Sequence, residues 1–188
     1  MSDDILGGRR KALEEAFFAK HNEMLRQRLT ESDQVRARRD SLTAISGITD
    51  AAVLDQLVKL DITPETLAAL SLVPLIAVAW ADGAIDARER AAVLAGAVEA
   101  GLAEGEASHQ LLDQWLAKRP PAALLATWKS YIAAITAAMD EPTRKALQTR
   151  LLGRARAVAE AAGGFLGLGR AVSSEEEAML DSLAQAFG

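Results

Sequence analysis

Alanine and leucine supply most of the apolar residues in this chain, whereas aromatic residues make up only 4% of it. Small and unbranched apolar side chains suit closely packed helices, while β-sheets favour β-branched and aromatic residues. Half of the 188 residues are hydrophobic, which is enough to build a sizeable core. We therefore expect an all-α protein, built as a multi-helix bundle.

A long amphipathic helix is predicted at the N-terminal end, from about residue 8 to residue 40. Its apolar residues recur at spacings of four, seven and eleven, so they share one wide stripe of a helix. They are Leu13, Phe17, Phe18, Met24, Leu25 and Leu29. Because charged residues dominate the other positions, we expect this arm to lay its stripe on its own domain, on a second copy of itself, or on another protein.

Capping and helix-breaking residues divide the remainder into shorter helices. Asp50 is predicted to cap a short helix, and Pro64 to take the first position of a longer one that bends at Pro74 and ends near Trp80. Further helices are expected over 88–100, 104–117, 121–138, 141–162 and 173–187, with a glycine-rich break at 163–169. We divide the chain into an arm with a connecting helix, residues 1–62, and a helical domain, residues 63–188.

Charge and composition exclude several classes of protein. The formal charge of -5 argues against a nucleic-acid binder, because neutralising phosphates needs a clustered surplus of lysine and arginine. The absence of cysteine rules out disulfides, thiolate nucleophiles and cysteine zinc sites. The acidic start is followed by no apolar signal region, and the longest apolar stretch, residues 67–81, is too short to span a membrane. We expect a cytoplasmic protein.

The most chemically suggestive segment is an acidic helix start. It reads Asp82-Gly83-Ala84-Ile85-Asp86-Ala87-Arg88-Glu89. Asp86 followed three positions later by Glu89 is the pattern of a capping box, in which the two side chains bind the free backbone N–H groups that begin a helix. This cap accounts for Asp86 and Glu89, and Asp82-Gly83 is also an ordinary turn pair.

A weak internal repeat places a second capping box near the C-terminus. When Asp82 is aligned with Gly169, the cap residue Ser173 falls on Asp86, and Glu176 falls on Glu89. The second copy keeps the cap and the glutamate but loses the first aspartate. Asp82 is therefore the acidic residue that helix capping leaves unexplained.

The segment around the acidic start resembles the tellurite-resistance TerB-like family. The likeness covers about residues 64–188 and is carried by Ala79-Trp80-Ala81-Asp82-Gly83-Ala84-Ile85-Asp86-Ala87-Arg88-Glu89-Arg90. It implies two related helical halves, a role in stress or metal response, and binding of a divalent cation such as calcium or magnesium. On this sequence the implied ligands are Asp82, Asp86, Glu89 and Glu176. Gly169 and Ser173 depart from the pattern, because acidic residues are expected there.

The arm is similar to the N-terminal region of a family of bacterial ATP-synthase inhibitors called ζ. The likeness covers about forty residues and is carried by Lys11-Ala12-Leu13-Glu14-Glu15-Ala16-Phe17-Phe18-Ala19-Lys20 and the basic run Arg36-Ala37-Arg38-Arg39. It implies that the arm is a regulatory or docking element. The basic run, which is flanked by Asp33 and Asp40, is more typical of a solvated helix face.

The residues usual in catalytic sites are missing or isolated. His21 and His109 have no histidine or cysteine partner at ligand spacing. Nothing in the sequence indicates that the pKa of one carboxylate would be raised selectively. We therefore expect a non-enzymatic module that binds a divalent cation and associates with protein or with itself. The alternative is a structural or regulatory protein, inhibitor-like and without metal, that docks through its N-terminal helix.

Overall fold

Helices connected by turns and short loops form the part of the protein that its computed structural model describes, residues 2–162 and 172–188, with side chains for 20–161 and 172–188. No strand occurs in those ranges, which confirms the all-α prediction. The α-helices are α1 (Ser2–Ser46), α2 (Ala51–Lys59), α3 (Val73–Ala79), α4 (Ala87–Glu99), α5 (Ala107–Ala117), α6 (Ala122–Thr136), α7 (Glu141–Ala162) and α8 (Ser174–Ala184). The predicted break at 163–169 lies outside the described residues. Among the described helices, none is both long and apolar enough to cross a bilayer.

Contacts divide the chain into two units, residues 1–41 and residues 42–188. The first unit is formed by α1, so the predicted long N-terminal helix is confirmed. Its predicted stripe residues Leu13, Phe17 and Phe18 have side chains outside the described part. Four other apolar side chains of this unit are exposed: Met24, Leu25, Leu29 and Val35, by 43, 43, 65 and 37%.

The core of the second unit is built around α3, which contacts α4, α6, α7 and α8. This short helix is apolar on nearly every side, and its residues Leu75, Ile76 and Val78 are at most 1% exposed. α4 comes close to it at Gly96, where a Cβ atom would lie 2.5 Å from Leu75 Cδ2. α2 also lies in this unit and packs on α6. The predicted start of a TerB-like domain at residue 63 stays a prediction.

The prediction of a single helix from Pro64 to Trp80 is wrong. Residues 64–66 form a turn, a 3₁₀ helix covers Leu67–Leu72, and α3 begins only at Val73. Pro74 lies in the first turn of α3 rather than at a bend inside a longer helix. Because proline lacks an N–H group and clashes with the carbonyl four residues earlier, an α-helix starts at this position more readily than it continues through it.

Candidate functional site: an acidic junction at the starts of α4 and α8

A tight turn carries the chain from α3 to α4. Gly83 has a φ of +100°, a backbone conformation that side-chain-bearing residues rarely adopt. The backbone N–H of Ala84 donates to Asp82 Oδ1 over 3.1 Å. Asp82 therefore has a local structural role that its turn sequence predicted, and this role uses one of its two carboxylate oxygens.

The predicted capping box at the start of α4 is confirmed. Asp86 Oδ1 accepts the N–H of Arg88 at 2.7 Å and that of Glu89 at 2.8 Å. In return, the N–H of Asp86 donates to Glu89 Oε2 at 2.7 Å. Glu89 is only 4% exposed, so this carboxylate is held against the protein and away from solvent.

The predicted echo at the start of α8 has the same geometry. Ser173 Oγ accepts the N–H of Glu176 at 3.2 Å, and the N–H of Ser173 donates to Glu176 Oε2 at 2.6 Å. Glu176 is only 6% exposed. The repeat thus preserves the cap and the buried glutamate, while serine replaces the capping aspartate.

The two boxes place their carboxylates within electrostatic reach of each other. The pKa of Glu89 is raised to about 7. Burial is the largest cause, the hydrogen bond from the Asp86 N–H acts in the opposite direction, and the charges of Asp86, Asp82 and Glu176 also raise it. The expectation that no carboxylate would be raised selectively is therefore wrong. The sequence gives the capping pattern but does not reveal that the glutamates are buried, which depends on how α4 and α8 pack.

These four side chains are the metal ligands that the TerB-like resemblance implies, and their chemistry fits a hard cation. Each uses one oxygen in the turn and caps: Oδ1 of Asp82 and Asp86, and Oε2 of Glu89 and Glu176. Their positions fit less well. In the described part of the chain, no group of three or more histidine, aspartate or glutamate side chains converges closely enough to hold a metal ion. A cation would need side-chain rotations at the junction.

A second cluster of charged residues joins α4 and α5, and sequence reasoning missed it. His109 Nδ1 and Asp113 Oδ2 are 3.4 Å apart, one helical turn along α5. Arg90 Nη2 lies 3.4 Å from the other oxygen of Asp113. The spacing of four residues between His109 and Asp113 is the only signal that the sequence offers. The arrangement ties two helices together through partly exposed groups.

Comparison of the chain with protein-family models, with curated proteins and with solved structures gives no match. The likenesses to the TerB-like and ζ families therefore rest on the motifs in this sequence and stay predictions. What the described residues add is geometric. Two capping boxes lie at the predicted positions, their glutamates are buried, and the charge of Glu176 acts on Glu89.

Proposed function

We propose that this chain is a non-enzymatic, TerB-like helical module whose acidic junction binds a hard divalent cation, calcium or magnesium. The observation that supports the proposal is the raised pKa of Glu89, caused by burial and by three neighbouring carboxylates. A divalent cation would offset this concentration of negative charge. Oxygen donors of this kind are the ligands that calcium and magnesium prefer.

Binding is expected to add to the caps rather than replace them. Each of the four carboxylates has one oxygen outside the local hydrogen bonds of the turn and caps. Rotation of the exposed Asp82 and Asp86 side chains costs less than moving the buried Glu89, which is fixed by its bond to the Asp86 N–H. We therefore expect Asp82 to be the ligand that changes position, which agrees with its being the acidic residue outside the caps.

Calorimetric titration with calcium, magnesium, manganese and zinc chlorides tests the proposal. Asp82→Asn keeps an oxygen that accepts the Ala84 N–H but loses the charge. Asp86→Ser keeps a capping oxygen, as Ser173 does in the second box. Both variants are expected to bind the cation at least tenfold more weakly, since about 1.4 kcal/mol of lost charge interaction corresponds to a factor of ten.

Glu106→Gln serves as the matched control, because Glu106 is an exposed carboxylate before α5 that makes no side-chain cap. It should bind as the wild type does. Absence of heat with all four salts, or equal heats from the wild type and both junction variants, would remove the metal from the proposal. The proposal would then be reduced to a helical module that associates with protein.

A second function, docking on a partner through the arm, is supported by the four exposed apolar side chains of α1. A helix that leaves such residues in solvent usually covers them in an assembly. The partner is a second copy of this chain or another protein, and an inhibitor-like role would follow from docking on an enzyme. This function needs no metal at the junction.

Light scattering after size-exclusion chromatography tests self-association through the arm. Leu25→Glu together with Leu29→Glu places charges on the apolar residues and should convert an oligomer to a monomer. Gln27→Glu together with Thr30→Glu adds the same charge at exposed polar positions and should leave the assembly intact. A wild-type chain that is monomeric at all concentrations would rule out the second copy as the occupant.

A further inference from the structure

A cavity of about 360 Å³ opens between α3, α6 and α8 in the second unit. Its walls are mainly apolar and include Val73, Ile76, Ala77, Trp80, Leu125 and Met179. The volume lies within the range of roughly 300–1,000 Å³ that small-molecule sites occupy. A cavity of this size suits a small ligand. A partner helix would require a long, shallow groove instead.

One charged residue borders this cavity. Arg119 is the sole ionisable side chain among the described residues that line it, and it is exposed. Arg119 has no ion-pair partner in the described part of the chain. In a protein of net charge -5, a lone guanidinium beside apolar walls selects for an anion.

The start of α6 adds positive potential at the same opening. Pro121 and Ala122 line the cavity, and Pro121 occupies the cap position without a side chain that can bind the free N–H groups. The first N–H groups of a helix carry partial positive charge. Together with Arg119, this helix start contributes positive charge to the lining of a cavity whose other walls are mainly apolar.

We propose that this cavity binds an amphipathic monocarboxylate, a small acid with an aliphatic body. The aliphatic body lies against Ile76, Trp80 and Met179, and the carboxylate lies at Arg119. The apolar walls disfavour a free inorganic anion, because the body of the cavity offers such an ion no hydrogen bonds. The guanidinium disfavours a neutral hydrocarbon, because a neutral ligand would partly desolvate Arg119 without pairing it.

Titration of the full-length protein with decanoate, below the concentration at which decanoate self-associates, tests this proposal. Trp80 lines the cavity, so binding should change the intrinsic tryptophan fluorescence in a saturable way. Arg119→Gln should weaken binding by about tenfold or more, the usual effect of losing a hydrogen bond to a charged group. Decanol, which has the same chain without the charge, should bind as weakly to the wild type as decanoate binds to the variant.

Two further variants separate the site from general effects of charge and folding. Lys118→Gln removes the neighbouring exposed cation, which does not line the cavity, and should bind decanoate as the wild type does. Ala77→Phe fills the cavity and should abolish binding while circular dichroism confirms that the helices persist. The proposal is overturned if wild-type protein gives no saturable signal. It is also overturned if decanol binds as tightly as decanoate, if Lys118→Gln weakens binding as much as Arg119→Gln, or if a folded Ala77→Phe protein binds normally.

Discussion

Glu89 and Glu176 have the same role at the starts of two different helices. Each accepts the backbone N–H of the residue three positions before it, over 2.7 and 2.6 Å, and each is more than nine-tenths buried. A capping glutamate on a helix surface is normally free to ionise. Here helix packing buries both glutamates, and the negative charge of Glu176 contributes to the raised pKa of Glu89, so a local capping motif becomes an electrostatic feature of the tertiary structure.

The stability of the protein should depend on pH through Glu89. Its pKa is raised from an ordinary 4.5 to about 7 in the fold, so the folded state favours the protonated acid. The stability that Glu89 contributes is fully present below about pH 4.5 and is lost as the pH rises through 7. The full loss corresponds to roughly 3 kcal/mol.

Chemical denaturation of Glu89→Gln and wild-type protein between pH 5 and 8 measures this effect. The variant should gain stability relative to the wild type as the pH rises, because glutamine stays neutral and still accepts the Asp86 N–H. The exposed Glu106→Gln control should follow the wild-type curve. A Glu89→Gln profile parallel to the wild type would show that another group titrates in this range.

Helix capping and acidity can be separated at Asp86. Asp86→Ala removes the acceptor for two backbone N–H groups and should cost about 1 kcal/mol in the free energy of unfolding. Asp86→Ser should cost only a few tenths of that value, because Ser173 fills the same position in the second box. Thermal melts of both variants provide the measurement. Equal losses would mean that the charge of Asp86, rather than its cap, stabilises α4.

The close approach of α4 to α3 predicts that Gly96 does not tolerate a side chain. In Gly96→Ala the new Cβ would meet Leu75 Cδ2, and Leu75 is fully buried. Overpacking costs about 1–3 kcal/mol, which outweighs the gain of about 1 kcal/mol in helix propensity. Gly153→Ala on α7 meets no atom within 4 Å and should instead stabilise the protein. If urea denaturation showed a change in stability of the same sign for both variants, the result would contradict this packing.

The buried hydroxyl of Ser108 should contribute to stability through a single long-range bond. Its Oγ donates to the carbonyl oxygen of Glu65 over 2.7 Å and ties α5 to the turn before the 3₁₀ helix. Ser108→Ala leaves that carbonyl without this donor and should cost about 1–3 kcal/mol. Ser130→Ala removes a local bond on an exposed helix face and should change stability by less than about 0.5 kcal/mol. If urea denaturation gave similar losses of stability for the two variants, the bond to Glu65 would contribute no more than a local bond on an exposed helix face.

Local sequence patterns predicted most of the helices, the cap at Asp50 and both capping boxes. Asp50 and Asp86 were recognised because a capping oxygen acts on N–H groups two and three residues away, so its signal is contained in a few neighbouring residues. Gly101 comes directly after the helix predicted over 88–100, and its φ of +82° is the positive value that favours glycine at a helix end. Pro64 misled the prediction because proline suits turns as well as helix starts, and the choice depended on where the 3₁₀ helix packs.

Local patterns in the sequence were enough to predict a helical protein and the positions of its two capping boxes, and the TerB-like resemblance implied the four candidate metal ligands. The packing of the helices was needed to show that Glu89 and Glu176 are buried, that the charge of Glu176 acts on Glu89, and that Arg119 borders an apolar cavity. The difference follows from distance along the chain. Caps act over a few residues and leave a local pattern, whereas burial, pKa shifts and cavities arise between helices that are far apart in sequence.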